Sequence, residues 1–91
     1  MNSVSTDVTI YLSPFCPYCM WAKKLLSAKG VEYQEIRIDQ NPDEADIMVR
    51  RSGGRVTVPQ IFIGDHHVGG YDDMSAMDRT GKLDPILFPS T

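Results

Sequence analysis

Residues 13–26 read SPFCPYCMWAKKLL and hold both cysteines of the chain. The stretch lies where one periodicity gives way to another, and that position constrains the fold more than any other feature. Before it, Val8 to Leu12 alternates with period two. Val8, Ile10 and Leu12 share one face, and Thr9 and Tyr11 the other, as in a strand. After it, Pro17 stands where a helix can begin without losing a needed donor. Met20, Ala22, Lys23, Lys24, Leu25, Leu26 and Ala28 then favour a helix, and Gly30 supplies its stop. Ala22, Leu25, Leu26 and Lys29 follow helical spacing, with Lys29 at the edge of the apolar stripe. Cys16 and Cys19 therefore fall together on a strand-to-helix junction.

The rest of the chain continues the alternation. Val31 to Asp39 predicts a second strand. Asn41-Pro42 opens a second helix that runs to about Arg51, where SGGR breaks it. Ile61, Phe62 and Ile63 form a strand, Gly64-Asp65 a turn, and His66 to Val68 the return strand of a hairpin. Asp72 is the expected N-cap of a third helix through Met74, Ala76 and Met77, ending near Gly81. The last residues, LDPILFPST, read as a tail. The order is β-α-β-α-β-β-α, with no repeat or linker. The first β-α-β unit implies parallel strands, and the hairpin adds an antiparallel pair. The expected fold class is α/β: one domain over residues 1–91, a four-stranded mixed sheet with helices on both faces.

Composition narrows the function classes. At 91 residues there is room for one core. Nine basic against twelve acidic residues give a net charge of -3, which argues against a general binder of nucleic acid. No apolar run approaches the roughly 20 residues a membrane helix needs. The N-terminal MNSVSTDVTIYL lacks a basic region followed by an apolar one, so no signal peptide is expected and the expected location is cytoplasmic. In that compartment thiols stay reduced. A Cys16–Cys19 bridge would also be a weak staple, because so short a loop gains only about 2 kcal/mol.

Three roles compete for the pair. Two buried cysteines can meet by chance, but a proline-framed C-x-x-C at a strand-to-helix junction is too well placed for that. A closed zinc site needs four ligands. His66 and His67 are the obvious additions, yet neighbours on a strand point to opposite faces, so no metal is expected. A redox pair accounts for the most detail. Residues three apart at a helix start have Cβ atoms about 5–6 Å apart, close to the roughly 4 Å of a disulfide. Free N–H groups and the helix dipole favour a thiolate at Cys16. Cys19, one turn in and more buried, suits the resolving thiol. Cys16 would attack a disulfide, and Cys19 the mixed disulfide that results.

With CPYC at Cys16 to Cys19, TVPQIFI at Thr57 to Ile63 and GGYDD at Gly69 to Asp73, the chain resembles the small dithiol bacterial glutaredoxins. LLSAKGVEYQE and LDPIL fit as well, and the likeness runs from about residue 7 to 87. The resemblance implies a thioredoxin-like fold. It implies a glutathione-dependent thiol–disulfide oxidoreductase that reduces protein–glutathione mixed disulfides and some protein disulfides, with a place in electron transport and cell redox homeostasis. Cys16 and Cys19 are the expected catalytic pair. The expected glutathione contacts are Tyr18, Thr57, Val58, Pro59, Gly70, Tyr71, Asp72 and Asp73. The resemblance also implies a cis Val58–Pro59 bond, which leaves the Val58 amide and carbonyl free to pair with the ligand as a strand would. Gly69 and Gly70 permit close approach, and the helix start at Asp72–Asp73 offers N–H groups to a carboxylate. The resemblance points to Asp73 for the ligand's ammonium, against Asp72 as a plain helix cap. Arg50 and Arg51 are candidates for its glycine carboxylate, against a solvated helix face. Partners would be glutathione and client proteins, and the chain would be a monomer.

Departures from the family pattern are visible. Ser13 stands where many members have lysine, which leaves the helix start as the main stabiliser of the Cys16 thiolate, with Lys23 and Lys24 further along. SGGRVTVP is one residue longer than in close relatives, which either moves Arg55 toward the site or enlarges a loop. Tyr71 occupies the place of a third cysteine in some relatives. Trp21 replaces a common basic residue, either as an exposed client contact or as a ring lying along the helix. Two other functions compete. One is a thioredoxin-like redoxin served by a flavoprotein reductase. The other is an iron–sulfur carrier, whose relatives usually have C-G-F-S where this chain has CPYC.

Overall fold

The alternating run at Val8–Leu12 is strand β1, and the helical pattern after it is helix α1, Pro17–Ala28. The computed structural model describes residues 6–89. The N-terminal stretch weighed for a leader peptide begins outside these residues, and so do the ends of the expected domain. Beyond α1 come β2 (Gln34–Arg37), α2 (Pro42–Arg51), β3 (Gln60–Ile63), β4 (His66–Gly69), α3 (Tyr71–Arg79) and α4 (Leu83–Leu87). The strands form one sheet in the order β2-β1-β3-β4. β1 pairs parallel with β2 and antiparallel with β3, and β3 pairs antiparallel with β4. This is the mixed four-stranded sheet of a thioredoxin-like fold.

The alternation along β1 decides how the sheet is covered. Val8, Ile10 and Leu12 face a core built with Ala22 and Leu26 of α1, Ile61 and Ile63 of β3, Met74 of α3, and Leu83 and Leu87 of α4. Tyr11 faces the other way, with Phe62 and with Met48 of α2. Tyr11 and Phe62 meet edge to face at 5.6 Å between centroids. Helices therefore cover both faces, with α1, α3 and α4 on one side and α2 on the other.

Strand and helix ends shift by one to three residues from the sequence pattern, with β2 ending at Arg37 rather than Asp39, and three of the differences have a visible cause. β2 begins at Gln34 rather than Val31, because Val31 still belongs to the end of α1. Its amide donates to the Leu26 carbonyl and its side chain is buried in the larger core. α3 begins at Tyr71 with Gly70 as its N-cap, so Asp72 is not the cap. The acid that satisfies the free donor is Asp73, at the third helical position, whose carboxylate accepts the Gly70 N–H at 2.9 Å. The tail contains a helix, α4, too short to show a period of its own. Its signal was the four-residue spacing of Leu83 and Leu87, both fully buried. The hairpin turn falls at Gly64-Asp65 as expected, with Gly64 at φ 59, a conformation natural to glycine.

Lys29 holds these pieces together at the end of α1. Its ammonium lies 2.5 Å from Asp78 of α3 and 2.8 Å from Asp84 of α4. Hydrogen bonds to Asp78, then Asp84, raise its pKa above the usual lysine value.

If α4 is part of the core rather than a tail, Leu87→Ala will destabilise the fold by about 2–5 kcal/mol in urea unfolding, the cost of emptying a packed leucine site. A change within about 0.5 kcal/mol, typical of a surface substitution, would place α4 outside the cooperative unit.

Candidate active site

Cys16 is the N-cap of α1, extended at φ -115 and ψ 103. Its carbonyl accepts the Met20 N–H, the first bond of the helix. Its sulfur accepts the Cys19 N–H at 3.2 Å. A cysteine thus takes the capping role usually held by serine, threonine or aspartate, and the helix start points a donor at the nucleophilic atom. Pro17 follows in the first helical turn, where it has no donor to waste. Phe15, just before the pair, adopts φ 58 and is fully exposed. For a residue other than glycine this left-handed conformation costs about 1–2 kcal/mol.

The two thiols occupy different environments. Cys16 is half-buried and Cys19 is buried. Burial first, and then the Cys16 sulfur beside it, push the Cys19 thiol up to about 12. Cys19 therefore stays protonated at neutral pH. Val58 lies across from the pair, its carbonyl 3.9 Å from the Cys16 sulfur. The Val58–Pro59 bond is cis, as the resemblance implied. Among the described residues no backbone group engages the Val58 amide or carbonyl.

Beside Val58 opens a groove of about 360 Å³. Tyr18, Thr57, Val58, Pro59, Gly70, Tyr71, Asp72 and Asp73 all line it. The structure thus gathers every expected non-cysteine site residue, drawn from three stretches of the chain, around one opening. Arg55 joins them and was not on that list. It donates to Asp73 Oδ2 at 3.2 Å. Its signal in the sequence was its place in SGGRVTVP, two residues before Thr57. The Gly70 N–H, and then Arg55, hold the Asp73 carboxyl below its ordinary pKa. Gly69 sits behind this pair at φ 112, and a Cβ there would run into the Asp73 carboxylate.

Arg51 is elsewhere. Its guanidinium lies 4.1 Å over the Phe62 ring and donates to the Tyr11 hydroxyl at 3.2 Å. Neither it nor the exposed Arg50 lines the groove. Cys16 and Cys19 also border a second hollow, of about 230 Å³, with Ser13, Phe15, Met20 and Lys23. The Lys23 ammonium is engaged there by Glu35 at 3.3 Å.

Trp21 does more than lie along α1. It packs on Tyr18 at 5.2 Å and on Tyr71 at 5.8 Å, which ties α1 to the start of α3. Tyr71 completes this trio at the groove's rim. The two histidines part as strand geometry requires. His66 is exposed, and His67 turns in against Phe62 with Nε2 2.7 Å from Gln60 Oε1. Among the described residues no group of three or more His, Cys, Asp or Glu side chains gathers as metal ligands would.

A thioredoxin-like sheet with a C-x-x-C at the start of its first helix and a cis proline facing it defines a thiol–disulfide oxidoreductase. Comparison with known proteins gives the family. The family model described as Glutaredoxin matches residues 8–68. Glutaredoxin 3 of Escherichia coli strain K12 is 54% identical over 81 residues, covering 89% of this chain and 96% of that protein. The solution structure of glutaredoxin from Brucella melitensis is 50% identical, with a TM-score of 0.80, covering 96% of this chain and 92% of that one. The crystal structure of a buckwheat glutaredoxin–glutathione complex is 35% identical, also with a TM-score of 0.80, covering 90% of this chain and 76% of that one. The chain belongs to the bacterial glutaredoxin family.

The difference between the thiols has a direct readout. Iodoacetamide at about pH 8 should label Cys16 in the folded protein and spare Cys19, because only thiolates alkylate readily. Peptide mass mapping will show both labelled only after denaturation. Equal labelling in the folded protein would contradict the buried, protonated Cys19.

Proposed function

We propose that this chain is a glutathione-dependent oxidoreductase that reduces protein–glutathione mixed disulfides, and some protein disulfides, by way of Cys16. The observation that carries this is the groove lined by Thr57, Val58, Tyr71, Asp73 and Arg55, whose Val58 carbonyl lies 3.9 Å from the Cys16 sulfur. Its chemistry matches glutathione, an extended tripeptide with two carboxylates, one ammonium and a central thiol. The Val58 amide and carbonyl, which no backbone group among the described residues engages, pair with the cysteinyl unit. The first-turn N–H groups of α3 receive the γ-glutamyl carboxylate. Asp73, already ionised and turned into the groove, receives the ammonium, which favours it over Asp72. Arg55 takes the place first considered for Arg50 or Arg51 and binds a carboxylate. Tyr18 and Tyr71 wall the sulfur. The buckwheat relative solved with glutathione has the same fold.

The reaction then follows. The Cys16 thiolate attacks the glutathionyl sulfur of a client's mixed disulfide. The client–sulfur bond breaks, and the client leaves as a thiolate that takes a proton from water. Cys16 is left in a mixed disulfide with glutathione, and the Cys19 N–H supports charge on its sulfur as bonds form and break. A second glutathione thiolate attacks the bound glutathione sulfur. That step releases glutathione disulfide and restores Cys16. Cys19 has a second route, in which it loses its proton, attacks the Cys16 sulfur and expels glutathione. Two further glutathiones reduce the resulting Cys16–Cys19 disulfide. Burial makes that deprotonation costly, so the first route dominates with small mixed disulfides; on a protein disulfide Cys16 is joined to the client instead, and the Cys19 attack expels the client's thiolate. Electrons thus pass from the glutathione pool to client proteins, which fits a reducing cytoplasmic location and a role in redox homeostasis. Every group invoked comes from one chain, so a monomer suffices.

The test is turnover of a glutathionylated peptide with glutathione, glutathione reductase and NADPH. Cys16→Ser should be inactive, and Cys19→Ser should keep activity. If wild type is idle with glutathione but accepts electrons from thioredoxin reductase, the redoxin function replaces this one. Asp73→Ala should raise the KM for the peptide about tenfold, the cost of one charge-assisted contact. An unchanged KM would remove Asp73 from the ligand site.

A further inference from the structure

Gln60 is fully buried at the start of β3, one residue beyond the cis proline. A buried primary amide needs partners for both ends, and Gln60 has them. Its Oε1 lies 2.7 Å from His67 Nε2 on the neighbouring strand. Its Nε2 donates to Thr57 Oγ1 at 3.2 Å. Phe62 and His67 are register partners, and the two rings stack at 4.9 Å, which holds the imidazole in place.

The polarity of this chain of bonds follows from the placement of the Gln60 amide, with Oε1 toward His67 and Nε2 toward Thr57. An amide oxygen only accepts, so His67 Nε2 must carry the hydrogen. Burial first, and then the positive charge of Arg55, keep the imidazole pKa below its ordinary value. The ring is therefore neutral at pH 7, with its one N–H directed at Gln60. That bond orients the amide so that its NH₂ faces Thr57. The Thr57 oxygen then accepts, and its own hydrogen is left to donate. Thr57 is exposed and lines the groove, whereas His67 does not.

We propose that His67 is a positioning residue: through Gln60 it sets the Thr57 hydroxyl as a hydrogen-bond donor toward a carbonyl or carboxylate of the ligand in the groove. This rests on the groove holding the glutathionyl unit. His67 touches no reacting atom, so its effect falls on binding rather than on the exchange step. Thr57 without the chain can rotate to present a lone pair, which repels an anionic oxygen.

The experiment compares steady-state kinetics on a glutathionylated peptide for wild type, His67→Phe, Thr57→Val and the double variant. Phenylalanine keeps the stack on Phe62 and removes the donor. His67→Phe should raise KM about five- to tenfold, the worth of one oriented hydrogen bond, with kcat within about twofold. In the Thr57→Val background the same change should have no further effect, because the two residues act as one unit. His67→Gln, whose amide nitrogen reaches about as far as Nε2, should restore KM. An unchanged KM in His67→Phe, or two increases that multiply, would overturn the proposal. A wild type with no saturable turnover would bring down the groove's ligand and the proposal with it, so the two failures are told apart. Imidazole nitrogen NMR shifts of the wild type need no variant. The hydrogen on Nε2 is the expected result, and a hydrogen on Nδ1 of the neutral ring overturns the relay even if a variant fails to fold.

Discussion

The hydrogen bond from the Cys19 N–H to the Cys16 sulfur, 3.2 Å long, depends on three things at once. β1 must end at Leu12, the chain must turn through Phe15, and α1 must start at Pro17. Each has its own cause. The apolar alternation fixes β1 in the centre of the sheet, between β2 and β3. Ala22 and Leu26 bury one face of α1 against that sheet, which sets the helix's rotation about its axis. That rotation puts Cys19 inward and Cys16 at the rim. A single-residue slip in the helix register would move Cys19 off the buried stripe and lose the contrast between the two sulfurs. The dithiol's chemistry is therefore a consequence of core packing one and two turns away from it.

The groove is built from the opposite direction in the chain. Thr57 to Pro59 arrive from α2, on one face of the sheet, and Gly70 to Asp73 begin α3, on the other. They meet because β3 and β4 form a tight hairpin, which returns the chain to the same end of the sheet. The Asp73 carboxylate shows how closely structure and site are joined there. It accepts from the Gly70 N–H, which caps α3, and from Arg55 of the preceding loop. One acid thus ends a helix, anchors a loop and presents negative charge to the groove. Its pKa is lowered in the fold, so ionised Asp73 favours folding above the ordinary carboxylate range. That contribution fades as acid protonates it, and the site loses its shape and its charge together.

Much of this was legible in the sequence because it depends on local pattern. β1 follows from strict alternation, and the start of α1 from Pro17 and the helix formers behind it. The redox role follows from the spacing of Cys16 and Cys19. The cis bond and the groove residues came from motif resemblance, since nothing in the local chemistry of Val58-Pro59 demands that isomer. What stayed hidden depends on contacts distant in sequence. α4 has only Leu83 and Leu87 to mark it, a spacing that means nothing until a core is present to receive both. Asp72 is the better cap by residue type, yet α3 starts a turn's fraction earlier because the Asp73 carboxylate takes the Gly70 N–H, in space that Gly69 leaves open. Arg51 reads as a solvated or ligand-binding cation, and it instead covers Phe62, a contact that only sheet pairing reveals.

The relay from His67 through Gln60 to Thr57 was hidden for the same reason and connects the two halves of the molecule's design. Gln60 and Phe62 lie on the sheet face opposite the cysteines' core, the face that α2 covers. A polar side chain buried there is costly unless each end is bonded, and an apolar residue would pack more simply. Its retention is explained if the amide carries information across the sheet edge, from a histidine held on Phe62 to a hydroxyl at the groove. The larger core sets the thiols, the smaller one sets the donor that would meet their ligand, and the cis Val58–Pro59 segment is where the two come within reach of one another.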